Sequence, residues 1–394
     1  MWSIEAIGHR RIFNSHVEPT TEYSVWLRDG SVGRGASPHG ETIGIYEDKG
    51  RPVDAAEVIA ALRAGDALQP AFDQGSFDAL LGERITPAFG KNTGYALSLA
   101  FFNAAKDASA PAVAADAAGR PRLCCNILNG GWHAYTNPVL SNFHEYLLVA
   151  RSDDVDDVIG GHADIQRAVQ EALAKRPKLT VSGNPVARFD TLDDRECIEF
   201  LLGVCTGLGL SDDFELMIDA SAGDLWRDDG YHLELTDGGV RTSAEMADFW
   251  LDLLDQYPLR FLEDPFRETD TDAWARLVSA QSTCRVIGDN FYSSDAERIR
   301  DGAERRLAHG AIIKPNQAGT VSATCRAIEA AQDAGQLVIT SHRSISTESC
   351  LLAELTCRYA VDHMKIGPLL TDYSSVLRLN DIVRFTTDDL AQRV

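Results

Sequence analysis

A run of apolar segments, each closing on a charged or polar side chain at a near-constant interval, constrains this chain more than any other feature. Asp219, Glu263, Asp289, Lys314, His342 and Lys365 each stand at or near the end of a short apolar segment, and from Asp219 the steps are 44, 26, 25, 28 and 23 residues. All but the first step fit one strand plus one helix. Functional groups at the C-terminal ends of successive strands are the plan of a (β/α)8 barrel. The residue types narrow the chemistry. Three carboxylates suit a hard divalent cation, which prefers oxygen ligands. A lysine held neutral beside that charge can remove a proton next to a carboxylate.

The flanking sequence agrees. Glu22-Tyr23-Ser24-Val25-Trp26-Leu27 is short and β-favouring and ends in the turn Arg28-Asp29-Gly30, and residues 1–50 read as strands. Ala and Leu at helical spacing predict helices over 54–64 and 93–107. Residues 107–121 are rich in Ala and Pro with little pattern, which places a domain boundary there and gives domains of 1–121 and 122–394. From Arg122 onward the candidate strands are 123–128, 214–218, 259–262, 286–287, 311–313, 337–339 and 363–366. Candidate helices cover 243–256, 320–334 and 348–359. This alternation predicts a parallel sheet closed as a barrel. Neither a G-x-G-x-x-G pattern nor a P-loop occurs, even around Gly90-Lys91.

The net charge of −22 argues against nucleic-acid binding, which needs clustered basic charge, and gives no attraction to anionic lipid. An anionic substrate needs lysine and arginine concentrated locally, and the second half of the chain supplies them. The eight cysteines form no C-x-x-C pair, and a chain of 394 residues needs no staples, so reduced thiols in a cytoplasmic protein are expected. The N-terminus has no basic region followed by an apolar run, so no signal peptide is expected. Residues 95–105 are too short an apolar stretch to span a bilayer.

Several fragments, in collinear order, carry a family resemblance. Ile12-Phe13-Asn14-Ser15-His16-Val17-Glu18-Pro19-Thr20-Thr21-Glu22 is similar to I-L-D-S-R-G-N-P-T-V-E. Pro38-His39-Gly40-Glu41-Thr42-Ile43-Gly44-Ile45-Tyr46-Glu47 is similar to P-S-G-A-S-T-G-I-Y-E. Asn129-Gly130-Gly131-Trp132-His133-Ala134 is similar to N-G-G-S-H-A, Leu262-Glu263-Asp264-Pro265-Phe266 to I-E-D-P-F, and Ile313-Lys314-Pro315-Asn316-Gln317 to L-K-V-N-Q. Ser341-His342-Arg343-Ser344 is S-H-R-S unchanged. Over nearly the whole chain the sequence resembles the enolase family. The resemblance implies an α/β fold, an enolase-type (β/α)8 barrel capped by a small N-terminal α+β domain. It also implies a homodimer or higher homo-oligomer and a magnesium-dependent dehydration of a 2-phospho-3-hydroxy acid.

Carried over residue by residue, the resemblance makes Asp219, Glu263 and Asp289 the magnesium ligands, with Thr42 in place of the loop serine that ligates a second magnesium. Lys314 matches the general base, and an enolase-type site is a recorded example of a lysine base working with magnesium. Lys365 matches the lysine that holds the substrate carboxylate. Arg343 and Ser344 match the phosphate-binding pair, where a guanidinium fork suits a tetrahedral oxyanion. His342 matches the neighbouring substrate-binding histidine, and His133 the histidine of a mobile loop. Glu145 matches the first of two glutamates that handle the leaving hydroxide.

The second glutamate is missing. V-G-D-E-G-G becomes Val181-Ser182-Gly183-Asn184-Pro185-Val186, which puts Asn184 where the general acid belongs. An amide cannot deliver a proton at neutral pH. Asp289-Asn290 replaces a doubled aspartate, Pro315 follows the base directly, and the stretch after Lys365 lacks the R-S-E-R and K-Y-N segments. The deprotonating half of the site is therefore expected to be intact and the leaving-group half altered. Three readings follow. One is an enolase-like lyase acting on a phospho- or phosphono-carboxylate in a specialised pathway, such as carboxyphosphonoenolpyruvate formation. The second is a true enolase acting on 2-phosphoglycerate. The third is a catalytically weak binding or scaffold protein.

Overall fold

The computed structural model describes residues 1–40, 43–49, 52–106, 119–131, 136–181, 183–367 and 373–387. The N-terminal part is an antiparallel sheet in the order Val32–Ala36, Pro19–Leu27, Trp2–Phe13 and Ala71–Phe72. Alternating burial along these strands puts Ile4, Ile7, Tyr23, Val25 and Leu27 on one face, where Val58, Leu62, Phe77, Leu81 and Phe101 of the following helices cover them. Helix Lys91–Ala105 lies so close to the edge strand that only glycine fits there. A Cβ at Gly33 would stand 2.1 Å from the Ala100 carbonyl oxygen, and one at Gly35 2.2 Å from that of Ala96.

Eight strands close the barrel in the order Leu259–Glu263, Arg285–Gly288, Gly310–Ile313, Leu337–Ser341, His363–Ile366, Arg122–Asn129, Glu145–Ala150 and Phe214–Asp219. Seven of them overlap the segments anticipated from the sequence. The eighth, Glu145–Ala150, corrects the expectation of an all-parallel sheet, because it runs antiparallel to both neighbours. Its physical cause is a short connection, 130–144, in which the described residues form no helix, so the chain returns in the opposite direction. Helices Val155–Ala174 and Arg195–Leu208 then follow in succession before the next barrel strand. They went unrecognised in the sequence, as did the charge-rich helix Ala296–Glu304. Helix Ser243–Gln256 lies where it was expected, closed at its start by a capping box between Thr242 and Glu245.

The barrel interior explains why the chemistry collects at one end. Cys124, Leu147, Val149, Met217, Phe261, Ile287, Ile312 and Ile339 fill its middle. Side chains alternate across a strand, so the residue two places on faces inward at the next level. Two places beyond Met217, Phe261, Ile287 and Ile312 stand Asp219, Glu263, Asp289 and Lys314. Because its strand is reversed, Glu145 reaches the same level two places before Leu147, directly opposite Asp219 on one side and Asn129 on the other.

The outer helices hold the loops that follow these residues. The buried indoles of Trp250 and Trp274 donate to the Pro265 and Arg267 carbonyls at 3.0 and 3.2 Å, which fixes the turn after Glu263. Among the described residues no helix is long and apolar enough to cross a membrane. All eight cysteines are free thiols, six of them buried.

Candidate active site

At the barrel mouth two lysines stand among four carboxylates. The Lys365 ammonium lies 2.9 Å from Asp219 Oδ2, 2.7 Å from Glu263 Oε2 and 2.8 Å from Glu145 Oε2. Burial pushes its pKa down, but the charges of Asp219, Glu145, Glu263 and Asp289 outweigh that and hold it well above the ordinary lysine value. Lys365 therefore stays charged. The other Glu145 oxygen accepts from Asn126 Nδ2 at 2.7 Å. On the neighbouring strand ends the Lys314 ammonium donates to Asp289 Oδ2.

The backbone around Lys314 is fixed from several sides. Its amide donates to Ser294 Oγ at 2.8 Å, and that hydroxyl donates to Gln317 Oε1 at 2.8 Å. The turn Pro315–Ala318 that follows is joined to the N-terminal domain by Asn316 Nδ2, which donates to Asn92 Oδ1 at 3.0 Å. Asp264 does the same for Asp289. Its two carboxylate oxygens accept the amides of Asp289 and Asn290 at 3.0 and 2.7 Å. Asp264 adopts a left-handed backbone, φ 43°, to turn there. Asp219 is oriented by Ser221, whose amide and hydroxyl both donate to Oδ1 at 3.1 and 2.8 Å. None of Asp264, Ser221, Ser294 and Asn126 was assigned a role from the sequence. Asp264 was within reach, because it sits inside the Leu262–Phe266 motif; the others carry no local signal.

The charges are unbalanced. Burial drives the Glu263 carboxyl well above the usual range, with the Asp219 charge adding to it. Burial likewise pushes Asp219 up, but Lys365, His144 and Lys314 outweigh it and bring its pKa below the usual value. With every carboxylate ionised, four of them against two ammonium groups would leave an excess of two negative charges at this level, and the raised Glu263 carboxyl is the response to that excess. Glu263 Oε1 and Asp289 Oδ1 are buried with no hydrogen-bond partner among the described residues. A buried anionic oxygen without a partner is costly. A hard divalent cation fits that donor set and that charge. In this arrangement the lysines hold the carboxylates, and no three acidic, histidine or cysteine side chains among the described residues converge on a common point.

The predicted anion-binding group stands beside this cluster. Arg343 Nη1 donates to Glu47 Oε1 at 2.6 Å, and Glu47 Oε2 accepts from Gln317 Nε2 at 3.1 Å. Gly40 packs on the same guanidinium so closely that a Cβ there would overlap Nη2 at 1.6 Å. Residues 37–40 and 43–49 are tied down further by paired backbone bonds between His39 and Ile345 and by the Ile45 amide on Glu268 Oε1 at 3.0 Å. His342 is half-buried and its amide meets the Lys365 carbonyl, while Ser344 is exposed.

The structure thus brings Asp219, Glu263, Asp289, Lys314, Glu145 and Lys365 together, with Arg343 at their edge. Thr42 and His133 lie outside the described residues. Asn184 sits in the hairpin of Lys178–Val181 and Asn184–Ala187, half-buried, and its side chain makes no hydrogen bond to the other predicted residues among those described.

Comparison with known proteins bears on this geometry. The family model for the enolase C-terminal TIM barrel domain matches residues 120–394. The chain is also similar to an enolase from Acidothermus cellulolyticus, with 31% identity over 409 aligned positions that cover 96% of this chain and 94% of that protein.

Proposed function

The chain belongs to the enolase family, and from that premise we propose that it is a magnesium-dependent carbon–oxygen lyase. Its substrate is a phospho- or phosphono-carboxylate, from which it removes the proton α to the carboxylate and expels a β leaving group. The observation that carries this reading is the pair Lys314 and Lys365 at the barrel mouth. One lysine is embedded in carboxylates and permanently charged; the other is less buried and directed at a single aspartate.

Asp219, Glu263 and Asp289 would hold the magnesium, with Thr42 as the ligand for a second ion. Bound there, magnesium would neutralise the carboxylate dianion that forms on deprotonation. The remaining work falls to the chain's own groups. Lys314, as the free amine, takes the α-proton. The electron pair left behind moves into the carboxylate, which the Lys365 ammonium stabilises. Collapse of that pair forms the carbon–carbon double bond and ejects the β substituent. Arg343, with Ser344 and His342, binds the phosphorus group, and His133 belongs to the loop over the substrate.

The leaving group decides between two readings. Hydroxide is a poor leaving group and needs a proton as it departs. Asn184 has none to give, and Glu145 is already engaged as an anion: its Oε1 accepts from Asn126 and its Oε2 lies 2.8 Å from the Lys365 ammonium. This supports a substrate with a better leaving group, as in a specialised phosphonate pathway. The likeness to the Acidothermus enolase supports the alternative, dehydration of 2-phosphoglycerate to phosphoenolpyruvate. The test is the ultraviolet absorbance of an enolpyruvate product with 2-phosphoglycerate and magnesium, run alongside α-proton exchange into deuterated water. Exchange without product supports the specialised reading. Product at ordinary enzyme rates overturns it in favour of enolase itself, and neither signal overturns both.

A further inference from the structure

His39 lies in the segment that packs on Arg343, at a position where the similar fragment P-S-G-A-S-T-G-I-Y-E has a serine. Its backbone pairs with Ile345, and the next residue, Gly40, rests on the Arg343 guanidinium. The ring is half-buried and within electrostatic reach of Arg343, Glu18 and Glu47. No step of the proposed reaction uses it. A chain of amides fixes which of its nitrogens carries the proton. The Pro38 carbonyl can only accept, so the Asn316 atom 3.3 Å from it is the donor Nδ2. That same Nδ2 donates to Asn92 Oδ1 at 3.0 Å. Asn92 therefore turns its own Nδ2 to the His39 ring, 3.4 Å from Nδ1. Nδ1 must accept, which leaves the proton on Nε2.

Protonating Nδ1 would set one N–H against another, so the ring resists becoming an imidazolium. Burial and the Arg343 charge act in the same direction and, against Glu18 and Glu47, hold its pKa below the ordinary histidine value. A neutral imidazole does not give up its Nε2 proton at ordinary pH, so His39 cannot stand in for the acid missing at Asn184. What it can do is donate a hydrogen bond, and Nε2 has no partner among the described residues. A tetrahedral oxyanion has more acceptor sites than one guanidinium fork fills. We propose that His39 is a further binding residue for the substrate's phosphorus group, donating one uncharged hydrogen bond from Nε2, and that Asn92 is the positioning residue that fixes that tautomer. This rests on the phosphorus site read at Arg343. Asn316 follows Lys314 by two residues, so the amide chain that sets the His39 donor starts from the turn that carries the base.

The test titrates inorganic phosphate into the full-length protein by calorimetry, without added metal. His39→Leu should weaken phosphate binding by about tenfold, as loss of one hydrogen bond to a charged acceptor allows. His39→Gln, which places an amide N–H near the Nε2 position, should recover most of that loss. Equal affinity in the wild type and His39→Leu, or no recovery in His39→Gln, overturns the binding role. Nitrogen NMR of the histidine rings, with His39 assigned by its absence from the His39→Gln spectrum, reads the tautomer in the unaltered protein and holds even if His39→Leu fails to fold. The wild-type ring should carry its proton on Nε2, and phosphate should shift the Nε2 signal. Asn92→Asp offers Nδ1 an acceptor and should turn the ring into an imidazolium at neutral pH, a change that loosened packing does not produce. A proton on Nδ1 in the wild type, an Nε2 signal that phosphate leaves unmoved, or a neutral ring in Asn92→Asp overturns the proposal and leaves the lyase reading standing. Failure of the wild type to bind phosphate at all overturns the Arg343 site and the His39 donor together.

Discussion

Glu47 Oε1 lies 2.6 Å from Arg343 Nη1, with the two side chains 5% and 3% exposed. A loop of the N-terminal domain thus occupies the guanidinium that the substrate's phosphorus group is proposed to bind. Removing one partner of a buried ion pair typically costs about 3–5 kcal/mol, because the other charge is left buried alone. Glu47→Gln should therefore lower the thermal midpoint clearly in the absence of anions. Inorganic phosphate should restore more of that midpoint in the variant than it adds to the wild type, since it replaces the missing charge. Equal phosphate effects on both proteins would refute the competition.

Lys314 is the group without which no proton leaves the substrate. Lys314→Ala should reduce turnover and α-proton exchange together, by at least about 10²–10⁴-fold. The backbone turn should persist, because the Lys314 amide makes the bond to Ser294, while loss of the ammonium that pairs with Asp289 should lower the thermal midpoint, so the variant's fold is checked by circular dichroism. Exchange followed by proton NMR in deuterated water is the direct measurement. Unchanged exchange in a folded variant would assign the base elsewhere.

How much of this site the sequence discloses depends on the kind of information each residue needs. Asp219, Glu263, Asp289 and Lys314 are readable because each sits two places beyond an inward-facing apolar residue on its own strand. That is local periodicity. The direction of the strand Glu145–Ala150 is not local, since EYLLVA reads the same in a parallel or an antiparallel sheet. Nor can the sequence say that Lys365 will meet three carboxylates. Those contacts arise because barrel closure places His363–Ile366 beside Arg122–Asn129, 241 residues earlier in the chain at the His363–Arg122 pair. Glu47 and Arg343 are 296 residues apart and meet only because the N-terminal domain folds onto the barrel lip. Asp264 and Ser221 serve by fixing backbone turns, a role that polar residues in any loop could hold.

Asn184 offers a gain-of-function test. It lies on a half-buried hairpin position with no hydrogen bond from its side chain to the site among the described residues, so substitution there should be structurally mild. If the missing proton donor limits the reaction, Asn184→Glu should raise dehydration of 2-phosphoglycerate, within the roughly 10²–10⁴-fold that a positioned acid supplies. The rate of enolpyruvate formation in wild type and variant decides it. No change would remove Asn184 from the account of the altered leaving-group half.

Four carboxylates against two lysines at the barrel mouth make the fold sensitive to divalent cations. Adding magnesium to chelator-treated protein should raise the thermal midpoint, because an ion bound only by the folded state stabilises it by mass action. Glu263→Gln should weaken that response, since it removes one charge and changes the donor set at the buried Oε1. The readout is a midpoint and needs no substrate. A midpoint that ignores magnesium in the wild type would show that the lysines alone balance this cluster.

His162 gives the fold an acid limit that is independent of the site. It stands in helix Val155–Ala174, 1% exposed, and neither ring nitrogen has a hydrogen-bond partner among the described residues. Burial lowers its pKa from 6.5 to about 4. Above pH 6.5 the ring is neutral whether the chain is folded or not, so it imposes no penalty there. As pH falls below 6.5 the unfolded chain takes up a proton that the folded chain refuses until about pH 4. Stability is therefore lost across that window, at about 1.4 kcal/mol per pH unit, or on the order of 3 kcal/mol in all. His162→Leu keeps the helix and the apolar contacts but removes the titrating ring. Chemical unfolding at a series of pH values between 7 and 4.5 should show a shallower decline for the variant than for the wild type. Parallel declines would mean that His162 is not the residue that sets the limit. The remaining acid sensitivity should then be sought at His363, buried at the barrel floor against Arg122 and held down to about 3 by the same desolvation.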